Sequence, residues 1–174
     1  NFDNGIVVLP FCNVDEIWDV IVLAFADDMG EGKVAFNPDR ALDRTQLIAD
    51  IVAKRAQGKI VVLSFGGELG TVTLNTQRDE DNFVRTTADA INTYGFDGID
   101  VDLEKIVCVV FCFLVTPHLI SAVKRLHGMY PNLYVSMAPE HPYVQGGLVS
   151  MEGIWGAYLP LIDGLREELD LLHV

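Results

Sequence analysis

Four acidic residues are threaded through one short apolar segment, which reads Asp97-Gly98-Ile99-Asp100-Val101-Asp102-Leu103-Glu104. Side chains alternate between the two faces of a β-strand, so Asp100, Asp102 and Glu104 are predicted to share one face. The apolar residues between them would then face a covering layer. Burying three carboxylates together is costly unless they share protons or receive hydrogen bonds. The pattern therefore indicates a site that uses carboxyl groups for acid–base chemistry.

Glu104 is the candidate general acid of this segment. A carboxyl group that donates a proton near neutral pH needs a pKa well above the roughly 4.3 of free glutamate. Burial and neighbouring negative charge both raise that pKa, and the segment predicts both for Glu104. Asp97 falls on the opposite face at the start of the strand, where turn formation or capping with Gly98 is expected instead.

The elements that position these residues follow from the apolar periodicity. It predicts strands over residues 17–26, 59–65, 97–103 and 133–138 and from 171 onward, and helices around 47–52, 83–94, 119–126 and 158–169. Asp43 is predicted to cap the first helix, and Gly58 and Gly95 to end the first two. Strands and helices alternate with a repeat of roughly 35–40 residues, which is typical of βα units and a parallel sheet.

Two layouts fit this alternation, an open doubly wound sheet and part of a (β/α)8 TIM-type barrel. The glycine-rich turn Ser64-Phe65-Gly66-Gly67-Glu68-Leu69-Gly70 lacks both the dinucleotide-binding spacing and the lysine of a phosphate-binding loop. The acidic strand, in contrast, ends in a carboxylate where barrel enzymes hold their chemistry. The sequence therefore predicts an incomplete barrel of about five parallel strands, because a complete barrel takes about 250 residues.

These motifs resemble those of the family-18 glycoside hydrolases, the chitinase family. The acidic strand matches the family signature D-G-x-D-x-D-x-E, and Ser64-Phe65-Gly66-Gly67 matches S-x-G-G on the preceding strand. Met137-Ala138-Pro139-Glu140 resembles the end of the next strand in bacterial-type chitinases. The resemblance covers most of the chain apart from residues 105–116.

The resemblance implies a retaining hydrolase that cleaves β-1,4 bonds between N-acetylglucosamine units by substrate-assisted catalysis. Glu104 would be the general acid and base, and Asp102 would orient the acetamido group of the substrate. Asp100, deeper in the barrel, would share a proton or hydrogen bond with Asp102. No metal or organic cofactor is needed by this mechanism.

The resemblance also implies a set of substrate-binding residues around the acidic strand. Met137 and Ala138 are expected to line the barrel interior beneath the sugar, and the two glycines either to keep the barrel mouth open or to permit a tight turn. The full predicted set is Ser64, Gly66, Gly67, Met137, Ala138, Glu140 and Tyr143, with the last two on the rim.

Composition excludes several kinds of partner. The 174 residues carry a formal net charge of −13 without a basic cluster, so nucleic acid and anionic membranes are unsuitable partners. The chain is short enough for one domain, residues 1–174. The family resemblance implies that the substrate is chitin or chito-oligosaccharides. It also implies a monomeric, secreted protein. The three cysteines are expected to be small buried side chains, and Trp18 and Trp155 to be packed inside.

Three departures from the family pattern indicate a truncated catalytic domain that hydrolyses poorly in isolation. Residues 1–5 resemble the loop after the family's first strand, and the chain ends before a Q-x-Y-N-type segment. The stretch 106–115 is apolar where the family has a short polar loop. Two alternatives remain open: an endo-β-N-acetylglucosaminidase acting on N-glycans, and a non-catalytic chitin-binding lectin of the same fold.

Overall fold

A mostly parallel β-sheet with helices between its strands forms the molecule. The computed structural model describes residues 10–68, 70–104, 114–146 and 155–174. Its strands are β1 (Val20–Asp28), β2 (Val34–Ala35), β3 (Ile60–Gly67), β4 (Gly98–Leu103), β5 (Tyr134–Met137) and β6 (Leu171–Leu172). They lie in the order β2-β1-β3-β4-β5-β6.

All neighbouring pairs are parallel except β1 and β2, which pair antiparallel at the end of β1. The described residues thus contain five parallel strands in chain order, as the sequence predicts. Strand order that follows chain order without reversal is the topology of a barrel and excludes a doubly wound sheet. The short strand β2 was not predicted, since two residues carry no periodicity.

The structure confirms the first three predicted helices, but the last one ends at Gly164 instead of 169, and a short helix at His141–Val144 was not predicted. The helices are α1 (Arg44–Ala56), α2 (Gln77–Tyr94), α3 (Thr116–Met129), α4 (His141–Val144) and α5 (Leu159–Gly164), with a 3-10 turn at Phe11–Asn13. Asp43 accepts a hydrogen bond from the Gln46 amide at the start of α1, and Gly95 ends α2 in a left-handed conformation. None of the helices in the described part of the chain is both long and apolar enough to cross a bilayer.

The hydrophobic core lies between the sheet and these helices. Ile99, Val101 and Leu103 of β4 are at most 7% exposed and pack there, which confirms the predicted outward face of the acidic strand. The helical side of the core includes Phe83, Ile91, Leu119 and Leu126. The carboxylates on alternate positions are therefore turned to the opposite face of the sheet.

A buried carboxylate joins α2 to α3. Glu80 is 2% exposed and accepts hydrogen bonds from Ser121 Oγ at 2.6 Å and Arg125 Nη1 at 2.8 Å, with His118 Nδ1 at 2.9 Å. Burial by itself would raise the pKa of Glu80, but the hydrogen bonds outweigh it and lower the pKa to about 2. The charged form of Glu80 thus stabilises the packing of the two helices.

We expect Glu80→Gln to lower the free energy of unfolding at pH 7 by about 2 kcal/mol, because charge-assisted hydrogen bonds are lost from a buried site. A lowered pKa gives stabilisation that is complete above about pH 4.5 and is lost as pH falls through about 2. Urea unfolding between pH 7 and pH 2 should therefore show the difference from wild type shrinking with acid. Asp89→Asn, which removes an exposed α2 ion pair with Arg85, is the control. Equal effects of the two substitutions at pH 7 would contradict the assignment.

The predicted burial of three side chains is wrong for the described residues. Trp18 is 59% exposed and Trp155 is 37% exposed, so neither is packed inside. Cys12 is a free, exposed thiol on the 3-10 turn, whereas Cys108 and Cys112 lie outside the described residues. Apolar spacing alone could not show that Trp18 lies in the segment before β1, which begins only at Val20.

Candidate active site

The carboxylates of β4 lie at the centre of the parallel sheet. Strands β3 and β5 flank β4, and the register places Ser64 beside Asp100 on one side and Ser136 beside Asp100 on the other. Register partners in a parallel pair point to the same face. Three polar side chains therefore meet on the inner face of the sheet.

Asp100 is buried at the bottom of the site. It is 2% exposed, and its carboxylate accepts hydrogen bonds from Ser64 Oγ at 2.7 Å and Ser136 Oγ at 2.6 Å. His173 Nε2, just after β6, lies 3.2 Å from Asp100 Oδ1. These contacts supply the partners that a buried carboxylate requires.

Asp102 lies two residues farther along the same face and is half-buried. Desolvation raises the pKa of Asp102 to about 6, with added repulsion from Glu104, Asp100 and Glu140 and an opposing effect of His173. Its register partner on β3 is Gly66, which has no side chain to occupy the neighbouring space. The backbone of β3 therefore passes close to the backbone of Asp102.

Glu104 follows the last residue of β4, at the C-terminal edge of the sheet. Burial raises the pKa of Glu104, and the nearby carboxylates of Glu140 and Glu68 raise it further. Asp102 and Glu104 thus both hold protons more readily than free carboxyl groups. These directions suit an acid catalyst, and the role of Glu104 as the acid stays a prediction.

The backbone conformation and the close neighbours of Gly66 and Gly67 require glycine at both positions. Both have positive φ, +117° and +78°. A Cβ on Gly66 would lie 1.9 Å from the Asp102 carbonyl oxygen, and one on Gly67 would lie 2.6 Å from the Phe25 ring. These contacts favour the structural reason for the two glycines, since they allow β3 to pass close to Asp102 and Phe25.

We expect Gly66→Ala to lower the free energy of unfolding by about 3 kcal/mol or more, because of the clash with β4 and the positive φ. The matched control is Gly128→Ala in α3, where a Cβ would meet no atom within 4 Å. Alanine there should be neutral or stabilising by up to about 1 kcal/mol. Urea unfolding measures both; a Gly66→Ala protein as stable as wild type would show that β3 does not pass as closely as described.

The structure corrects two predicted substrate-binding residues of the sheet. Met137 is fully buried and pairs with Val101, so it points into the helix-side core and not beneath the sugar. Ser64 is 1% exposed, and its hydroxyl donates a hydrogen bond to Asp100. Ser64 therefore holds that carboxylate and does not contact the substrate. Ala138, half-buried just after β5, donates its amide to the Val101 carbonyl at 3.0 Å.

The two predicted rim residues differ in exposure. Glu140 is exposed before α4, and its charge raises the pKa of Glu104, which agrees with a rim position. Tyr143 is only 4% exposed, and its hydroxyl donates to the backbone carbonyl of Glu104. Tyr143 thus lies at the C-terminal end of β4 with its side chain turned inward, and its role in binding substrate stays a prediction.

Two residues of the site were missed by sequence reasoning. The sequence predicts position 158 only as the start of a helix, yet the Tyr158 hydroxyl binds the backbone of Leu103. His173, at the end of the chain, lies beside Asp100. The only sequence signal for an inward direction is its position in the predicted final strand.

Asp97 has the structural role expected of it, by different contacts. Its carboxylate accepts hydrogen bonds from Arg55 Nε at 2.7 Å and from the Val61 amide at 2.9 Å. It therefore connects the start of β4 to α1 and β3, at the N-terminal end of the strands, whereas Glu104 lies at the C-terminal end.

The structure has five parallel strands in barrel order, with carboxylates at the C-terminal end of the central strand. This is the framework of a barrel-type glycoside hydrolase. The sequence profile of glycosyl hydrolases family 18 matches residues 7–129. The chain therefore belongs to glycosyl hydrolase family 18.

Individual relatives agree with this assignment. Chitinase Chi52 of Paenibacillus xylanexedens is 40% identical over 186 residues, and chitinase D of Niallia circulans is 38% identical over 187. Both alignments cover 100% of the chain. A family GH18 chitinase from Chromobacterium violaceum has a similar structure, with a TM-score of 0.87 and 53% identity over 95% of the chain and 45% of that protein. The chain spans only 35% and 36% of the two curated relatives' lengths.

Proposed function

We propose that the protein carrying this sequence is a chitinase that hydrolyses β-1,4-linked N-acetylglucosamine polymers with retention of configuration. The observation that carries the proposal is the pair formed by Asp102, near the C-terminal end of β4, and Glu104, just after that strand, both with raised pKa. The chitinase names of the relatives support the substrate class.

In the first step the carboxylic acid of Glu104 donates its proton to the glycosidic oxygen as that oxygen leaves the anomeric carbon. The acetamido carbonyl oxygen of the same sugar attacks the anomeric carbon and forms an oxazolinium ion. The carboxylate of Asp102 accepts the acetamido N–H and stabilises the positive charge that develops on the ring.

In the second step the Glu104 carboxylate takes a proton from water as the water oxygen bonds to the anomeric carbon. The bond from that carbon to the acetamido oxygen breaks, and the configuration is retained after two inversions. Glu104 is protonated again, and the site is ready for a second cycle.

Asp100 acts on Asp102 through charge in this proposal. Its hydrogen bonds to Ser64 and Ser136 hold its side chain in place. Desolvation is the main cause of the raised pKa of Asp102, and the charge of Asp100 adds to it. Direct sharing of a proton between the two aspartates stays a prediction.

The proposal is tested with the complete protein that carries this sequence, since the chain spans about a third of its curated relatives. Release of the fluorophore from a chitobioside measures turnover, and NMR of the fresh product reads its anomeric configuration. Turnover with the β-anomer formed first is expected. Absence of turnover, or the α-anomer first, would overturn the proposal.

The same assay separates the alternatives. Cleavage of N-glycans in preference to chitin would favour an endo-β-N-acetylglucosaminidase, and chitin binding without hydrolysis would favour a lectin. The presence of Glu104, the proposed acid, favours an enzyme over a lectin. Secretion, a monomeric state and catalysis without a cofactor stay predictions from the family resemblance.

A further inference from the structure

Among the described residues, no strand pairs with the C-terminal end of β4 on its β5 side. The pairing of β4 with β5 ends at Val101 and Met137, and the Ala138 amide makes the last contact, to the Val101 carbonyl. Pro139 and the start of α4 then lead the chain away from the sheet. Leu103 and Glu104 therefore extend beyond β5, and their backbone groups need other partners.

A tyrosine hydroxyl contacts the backbone groups of β4 at the position where a neighbouring strand would pair. Tyr158 is fully buried, and its hydroxyl accepts a hydrogen bond from the Leu103 amide at 2.7 Å and lies 3.2 Å from the Leu103 carbonyl oxygen. One hydroxyl can accept from an N–H and donate to a C=O, as a neighbouring strand would. The backbone of the residue before the proposed acid is thereby fixed.

A second tyrosine fixes the next residue. The Tyr143 hydroxyl donates to the backbone carbonyl of Glu104, and the Tyr143 ring stacks on that of Tyr158 with 5.9 Å between centroids and 9° between planes. The two tyrosines are also joined through their backbones, because the Tyr158 amide donates to the Tyr143 carbonyl at 3.0 Å. They form one rigid unit against the end of β4.

We infer that Tyr143 and Tyr158 are positioning residues that hold the backbone of Leu103 and Glu104 so that the Glu104 carboxyl meets the glycosidic oxygen. This inference rests on the proposed function of Glu104. Small displacements of a catalytic group lower its rate strongly, because proton transfer requires hydrogen-bond distance in the transition state. Neither tyrosine needs to touch the substrate for this role.

The test uses Tyr143→Phe and Tyr158→Phe in the complete protein, with Tyr94→Phe as the matched control. Tyr94 is also buried, and its hydroxyl also donates to a backbone carbonyl, that of Phe36 at 3.1 Å, but it lies at the far end of α2. Each variant is assayed for kcat and KM on a chitobioside at a temperature where it is fully folded. The melting temperature is measured in parallel.

We expect Tyr143→Phe and Tyr158→Phe each to lower kcat about tenfold or more with KM changed less than twofold, whereas Tyr94→Phe lowers only the melting temperature. If the two site variants match Tyr94→Phe in kcat while Glu104→Gln is inactive, the inference fails and the proposed function stands.

A structural readout tests the same contacts independently of activity. Hydrogen exchange at the Leu103 amide should be faster in Tyr158→Phe than in wild type and unchanged in Tyr94→Phe. If wild type is inactive on chitobioside but this exchange behaves as expected, the proposed function fails and the contact stands. Unchanged exchange in Tyr158→Phe would overturn the contact and the inference with it.

Discussion

Glu104→Gln is expected to lower kcat on chito-oligosaccharides about 1000-fold, with KM changed only a few-fold. An amide has the size of the carboxyl group but cannot give a proton to the leaving oxygen or take one from water. Because Glu104 follows the last residue of β4 and is half-buried, the substitution should leave the sheet intact. The measurement is steady-state turnover of a chitobioside by the complete protein.

The control for that prediction is Glu16→Gln, an exposed glutamate in the segment before β1. It should keep wild-type kcat, and both variants should melt near the wild-type temperature. Retention of a tenth or more of wild-type kcat by Glu104→Gln would remove Glu104 from its proposed role.

Asp102→Asn is expected to lower kcat about 100-fold while making the folded protein more stable. The rate falls because a neutral amide cannot balance the positive charge of the oxazolinium ion. The free energy of unfolding at pH 7 should rise by about 1 kcal/mol, because a carboxyl group with raised pKa is less stable ionised in the folded state than in the unfolded chain. Urea unfolding and turnover assays measure the two effects.

The pH profile gives Asp102→Asn a second readout. The proposed role needs ionised Asp102, so kcat/KM of wild type should fall as pH drops through an apparent pKa near 6. The variant should lose that limb, whereas Asp89→Asn, exposed on α2, should keep it. A variant with the wild-type limb, or one that loses both stability and activity, would contradict the account of Asp102.

The local features of the fold could be predicted because they depend on neighbouring residues. Alternation along residues 97–104 gave the two faces of β4, and Asp43 and Gly95 marked helix ends that the structure confirms. The position of Met137 could not be predicted in the same way. Its face depends on the register of β5 against β4, and a shift of one residue reverses every side chain.

Contacts between distant segments account for the remaining errors. The hydroxyl of Tyr158 reaches Leu103 across 55 residues, and His173 reaches Asp100 across 73. Apolar spacing identifies an aromatic residue as part of a core but gives no partner for its hydroxyl. Such polar groups are found only when the strands and helices are placed in space.

The most direct test of the central claim is the dependence of the Glu104→Gln defect on the leaving group. A dinitrophenolate leaves without protonation, whereas a sugar alkoxide requires an acid, so only the second reaction needs the Glu104 proton. The first turnover of a dinitrophenyl chitobioside and of chitotetraose should be compared in wild type and variant. We predict that the variant's deficit is about 1000-fold for the sugar and at least about tenfold smaller for the dinitrophenyl substrate; an equal deficit on both would contradict the assignment of Glu104 as the acid.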